Sequence, residues 1–139
     1  MEKWKPLSDF PGYSISSFGR IRSEDRWVEY RKGKGGQTFK KGKMLSTVMN
    51  SSGYLQVHLW NSNQRKAPYV HRLVLENFGP PQPSEDHEAN HKNCVKTDNV
   101  IENLEWVTHS ENAIHGVQNG KWHTEKCKAY HQRRRRNHA

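Results

Sequence analysis

Hydrophobic and polar positions along the 139 residues change period in a readable order. Tyr13-Ser14-Ile15-Ser16 alternates, Gly19 offers a turn, and Arg20-Ile21-Arg22 alternates again, so Trp4 to Ser23 predicts two short strands around a turn. Residues 31–43, RKGKGGQTFKKGK, hold four glycines and six basic side chains and predict a flexible basic loop or hairpin tip. Met44 to Met49 can be a strand, and Asn50-Ser51-Ser52-Gly53 a turn. Tyr54 to Trp60 alternates strictly, with Leu55, Val57 and Leu59 on one face, and is the clearest strand in the chain. From Ala67 to Phe78 the period becomes helical, Val70, Leu73, Val74 and Phe78 forming one stripe. Pro68 marks its start and Gly79-Pro80-Pro81 its end. A short segment at Glu88-Ala89-Asn90-His91, a polar loop from Lys92 to Asn99 and a strand at Leu104–Val107 follow. Thr108 with Glu111 three places on is a capping box, so a second helix begins there and ends near Gly116 or Gly120.

Composition narrows this picture. Hydrophobic residues make up 32% of the chain, so the core is small, and five Trp, five Tyr and four Phe carry much of it. No apolar run spans a membrane, and Met1-Glu2-Lys3-Trp4 lacks the apolar stretch of a secretory signal. Two cysteines, Cys94 and Cys127, build neither a disulfide scaffold nor a four-thiolate zinc site. A cytoplasmic protein without structural zinc is the expectation. The net charge of +9 is unevenly spread: +8 over residues 1–80, −5 over 81–125 and +6 over 126–139. Basic ends suit a phosphate backbone, and the acidic middle asks for a metal ion or internal pairing. Arg133-Arg134-Arg135-Arg136 is strongly basic but unspecific, and the tail is expected to fray without a partner.

Residues 90–115 concentrate candidate chemistry: Asn90-His91, Asn103, then Asn112 and His115. A hairpin with a helix over it would bring the first strand beside the helix. Hydrolysis of a phosphodiester asks for a divalent ion at the phosphate, a base with pKa near neutrality, which suits His, and a group that holds the base in place.

The segment NHKNCVKTDNVIENLEWVTHSENAIHG, residues 90–116, resembles the HNH nucleases of the ββα-metal fold, in the branch of phage and intron-encoded homing endonucleases. VHRLVLENFGPP, residues 70–81, resembles the same branch, and WKPLSDFPGYSISSFGRIRS, residues 4–23, resembles the NUMOD4-like DNA-binding module that precedes such nucleases. The resemblance implies an α+β protein. A small antiparallel β DNA-binding module spans 1–66, a helix and linker 67–84, the nuclease core 85–120 and a basic tail 121–139. It implies that His91 activates the attacking water, that Asn103 ties the loop and so orients the imidazole, and that Asn90 and Asn112 bind one Mg²⁺ or Mn²⁺. Asn90 departs from the family, where Asp is common. With two neutral amides the protein would bring no formal charge to the ion, so binding should be weak without DNA.

Contacts to double-stranded DNA are expected from Arg20, Arg22, Arg31, Lys32, Lys34, Lys40, Lys41 and Lys43, with His71, Arg72 and His115 as further phosphate candidates. The charged residues and His115 also have a plainer reading as solvated surface, His71 one as a capped, buried side chain, and Asn90 also suits a turn. Trp4 and Trp60 are expected in the amino-terminal sheet, and Trp106 between hairpin and helix. The implied function is metal-dependent DNA cleavage by a phage homing or nicking endonuclease, in which a monomer would nick and a double-strand break would need a dimer or two sequential nicks. Alternatives are a silent DNA-binding protein on the same fold and a nonspecific HNH nuclease acting in phage packaging or recombination.

Overall fold

The computed structural model describes residues 1–29, 35–61 and 64–118. It is an α+β fold of short antiparallel pairs around two helices. Strands β1 (Trp4–Pro6), β2 (Tyr13–Ser16) and β3 (Ile21–Ser23) form a meander with Ile15 opposite Ile21. Separate two-stranded ribbons follow: β4 (Arg26–Glu29) with β5 (Gln37–Lys40), β6 (Val48–Met49) with β7 (Leu55–Gln56), and β8 (Leu59–Asn61) with β9 (Gln64–Lys66). Helix α1 (Val70–Phe78) leads to β10 (His87–His91), a 3-10 turn at Ile101–Asn103, β11 (Leu104–Thr108) and α2 (His109–Gln118).

The alternation of β2 suggests outward serines, yet Tyr13 to Ser16 are all buried. Their hydroxyls make this tolerable by satisfying backbone donors that folding takes from water. Ser16 Oγ accepts the N–H groups of Phe18 at 3.2 Å and Arg20 at 3.0 Å, and Ser17 Oγ accepts that of Lys3 at 2.9 Å.

The strand expected over Tyr54–Trp60 is broken between β7 and β8 because its backbone changes partner. Gln56 bridges Tyr69, and the Val57 N–H reaches the Pro68 carbonyl at 3.2 Å. Pro68 has no N–H to return, so the ladder cannot continue. Burial still follows the alternation, with Val57 and Leu59 buried and Trp60 half exposed, which removes Trp60 from the expected sheet packing. Met44 makes only an isolated bridge to Arg22, so the strand at 44–49 shrinks to β6.

Helix α1 buries Val70, Leu73, Val74 and Leu75 as its stripe requires. It stops at Gly79, whose N–H caps the Leu75 carbonyl at 2.9 Å. A Cβ on Gly79 would stand 2.6 Å from Leu75 Cδ1, so no larger residue fits there unchanged. Leu7, Phe10, Tyr13, Ile15 and Ile21 join Val57, Leu59, the α1 residues and Leu104 in one buried cluster. Trp106 packs against that cluster and donates its indole N–H to the Pro80 carbonyl at 2.9 Å, pinning the hairpin beside the end of α1. Among the described residues no helix is long and apolar enough to cross a membrane.

Candidate active site

The register of β10 and β11 pairs Asn90 with Glu105 and His91 with Leu104. Successive strand residues point to opposite faces, so His87, Ala89 and His91 share one face and Glu88 and Asn90 the other. The first face packs toward α1 and the core; the second lies under α2. The capping box fixes where α2 begins. The Thr108 N–H donates to Glu111 Oε2 at 2.9 Å, and the Glu111 N–H donates to Thr108 Oγ1 at 3.1 Å. This start brings Asn112 back over β10.

His91 is 4% exposed. Its Nε2 lies 2.8 Å from Asn99 Oδ1, and its ring sits 4.9 Å from that of His71, centre to centre. Tyr54 stacks on His71 at 5.2 Å and on His91 at 6.1 Å, completing an aromatic box. Burial lowers the His91 pKa, opposed by the Asn99 hydrogen bond and the Asp98 charge, while Lys96 lowers it further. His71 is pushed down to about 4, chiefly by burial and then by the neighbouring His91 and Arg72 charges. Both rings are therefore neutral near neutral pH. The phenol of Tyr54 is pushed up by burial and by the Glu88 and Tyr69 charges, so it too is uncharged there.

Asn103 ties the loop between the strands. Its Oδ1 accepts the Asn93 N–H at 3.1 Å, its Nδ2 donates to Asn93 Oδ1 at 2.9 Å and to the Asp98 carbonyl at 2.8 Å, and its own carbonyl accepts the Lys92 N–H at 2.8 Å. The hydrogen-bond partner of the imidazole, however, is Asn99. Two turns from the amino-terminal half grip the same loop. The Ser17 carbonyl accepts the Ile101 N–H at 2.9 Å, and Lys96 Nζ donates to the Ser52 carbonyl at 2.8 Å.

On the α2 side, Asn90 Nδ2 donates to Glu105 Oε1 at 3.1 Å and Asn112 Nδ2 donates to Glu88 Oε2 at 3.0 Å. Glu88 also pairs with His109 Nδ1 at 3.2 Å. The expectation of two amides without formal charge thus needs correction, because each has a carboxylate in contact. Carboxylates only accept, so each amide turns its NH₂ toward the glutamate and its oxygen away. Amide and carboxylate oxygens are hard donors that fit Mg²⁺ or Mn²⁺.

His71 is buried with its Nδ1 unpartnered, so of its two readings from sequence the structure favours the buried side chain, seated behind His91, over the phosphate contact. Arg72 is exposed and paired with Glu76. Arg20 is bound by Glu2, and Arg22 by Glu24 and by the Trp4 ring 4.1 Å below it. Lys40, Lys41 and Lys43 are exposed. Arg31, Lys32, Lys34, the side chain of His115 and the tail Arg133–Arg136 lie outside the described residues. Asn99, Tyr54, Glu88 and Glu105 had no role assigned from sequence. For Glu105 the available signal was strand register opposite Asn90; for Asn99, burial by a distant turn left none.

A hairpin whose first strand ends in His91, closed by a loop tied through asparagine and crossed by a helix, has the ββα arrangement expected from sequence. The family model for HNH endonucleases matches residues 68–114, and that for the NUMOD4 motif matches residues 2–60. The likeness to HNH endonucleases thus lies in residues 68–114, and that to the NUMOD4 motif in residues 2–60. It is similar to an uncharacterized HNH endonuclease of Acanthamoeba polyphaga mimivirus, 36% identical over 85% of this chain and 31% of that protein. It is also similar to DNA endonuclease I-HmuI of Bacillus phage SP01, 27% identical over 90% of this chain and 63% of that one. A solved structure described as DNA binding and cleavage by the HNH homing endonuclease I-HmuI superposes with a TM-score of 0.66 at 25% identity, covering 94% of this chain and 66% of that one. The chain spans about a third of the mimivirus relative's length.

Proposed function

We propose that this chain is a divalent-metal-dependent DNA endonuclease that hydrolyses one strand of a duplex per active site, in the manner of a homing or nicking enzyme. One observation carries the reading: a buried, neutral imidazole ends β10 while two amides occupy the opposite, α2-facing side. In-line hydrolysis places the attacking water and the departing oxygen on opposite sides of phosphorus. Adjacent residues of one strand face opposite ways, so a phosphate seated at the edge of β10 would have the Asn90 and His91 side chains on its two sides. The His91 lone pair accepts the proton of the water as it attacks. Asn90 and Asn112, held by Glu105 and Glu88, would bind one Mg²⁺ or Mn²⁺ together with a substrate phosphate oxygen, and such an ion polarises the phosphoryl group and offsets charge on the leaving 3′-oxygen. Products would carry 5′-phosphate and 3′-hydroxyl ends. Residues 1–66 are the DNA-binding module of this proposal, 67–84 the connecting helix and linker, 85–120 the nuclease core and 121–139 a basic tail for further phosphate contacts.

Asn90 in place of a carboxylate favours one rival, a DNA-binding protein without catalysis. Incubating supercoiled plasmid with wild type and His91→Ala, each with Mg²⁺, Mn²⁺ or chelator, decides between them. Nicked circles from wild type with metal only are expected. No nicking by wild type under any condition overturns the nuclease reading. Random ends on a long DNA would replace homing by general cleavage, as in packaging or recombination.

A further inference from the structure

The residue that touches the imidazole is itself walled in by the other half of the chain. Gly19 closes the β2–β3 turn at φ +84°, and a Cβ there would stand 2.9 Å from Asn99 Cβ and 3.2 Å from the Asn99 carbonyl oxygen. The same turn supplies the Ser17 carbonyl to the Ile101 N–H. Asn99 is 5% exposed between this turn and the His91 ring. Its Oδ1 can only accept, so the ring nitrogen facing it at 2.8 Å carries the proton and Nδ1 keeps the lone pair. A neutral acceptor sets this arrangement without pressing a full charge on the base. Asn103, which bonds only loop atoms, cannot do so.

We propose that Asn99 is a positioning residue that holds His91 in the Nε2–H tautomer, and that the Ser16–Gly19 turn of the amino-terminal sheet is the wall that keeps Asn99 in place. The kinetic part of this inference rests on His91 being the base; the tautomer does not. The base is then set jointly by the two halves of the molecule, since the hairpin supplies the ring and the meander fixes its partner.

The test uses the full chain with nitrogen-15-labelled histidine, at a pH where imidazoles are neutral. The His91 ring signals are assigned by their loss in His91→Gln. Wild type and Asn99→Asp, which keeps an acceptor, should show the Nε2–H tautomer. Asn99→Leu should show mixed tautomers, and its single-turnover nicking should fall about 10–100-fold with DNA affinity unchanged. Gly19→Ala should shift the tautomer in the same direction. Gly19→Asn carries the same Cβ in a residue type that accepts positive φ, and separates the contact from backbone strain. In wild type the Ile101 amide should exchange slowly with solvent. An unchanged tautomer in Asn99→Leu overturns the role of Asn99. Gly19 variants that melt like wild type with the tautomer intact, or rapid exchange at Ile101, overturn the wall. If wild type nicks no DNA, the nuclease reading fails while the tautomer signals still decide this one.

Discussion

His71 links the folding equilibrium to pH through one ring. Folded, it titrates at about 4; unfolded, it would titrate near 6.5. Between those values the unfolded chain binds the extra proton, so stability falls as pH drops through that window and is fully present above it. The shift corresponds to about 3 kcal/mol. His71→Phe keeps a ring in the box, removes the unpartnered Nδ1, and should flatten the dependence of urea midpoint on pH between those two values. An unchanged slope would assign the linkage elsewhere. His91→Ala should abolish nicking and leave binding to a duplex within about twofold of wild type in a filter or anisotropy titration, since the ring is only 4% exposed and offers a duplex little surface. The place of His91 at the end of the first hairpin strand was legible because strand, loop, strand and helix follow in order. The box around it was not, because Tyr54 and His71 reach His91 only through tertiary packing.

At the scale of elements, α2 depends on its first turn. Thr108→Ala removes the acceptor for the Glu111 N–H and should cost about 1 kcal/mol. Because the two bonds are reciprocal, Thr108→Ala with Glu111→Ala should cost less than the sum of the singles, which a double-mutant cycle of denaturant melts measures. Full additivity would mean the bonds act independently. Local chemistry of this kind is readable in advance, as are the α1 stripe and its stop at Gly79. The break between β7 and β8 was not, because it follows from a change of backbone partner to Pro68, a residue distant from the strand's own pattern. The burial of Ser16 follows from a related cause: alternation reports polarity, whereas burial here turns on the backbone donors that its hydroxyl meets.

At the scale of the whole molecule, Leu73, Val74 and Leu75 of α1 share one buried cluster with Ile15 and Ile21 of the meander. A fragment beginning at Ala67 would expose that face to water, at about 1.5–3 kcal/mol for each large side chain uncovered. Such a fragment should show no cooperative thermal transition, and a sharp transition would show that the hairpin and helices stand alone. Replacing exposed Lys40, Lys41 and Lys43 together by Glu should weaken duplex binding and reduce the slope of log affinity against log salt by about 0.9 for each phosphate left without its lysine. An unchanged slope would remove this ribbon from the binding surface. The Ser17 carbonyl that receives the Ile101 N–H has an evolutionary consequence. Recombination that pasted a foreign front half onto this hairpin would strand that amide and remove the support behind Asn99. Successful shuffling between relatives is therefore restricted to donors that bring a glycine turn of matching shape, so ancestry should be inherited jointly across the two halves more often than their separate family models suggest.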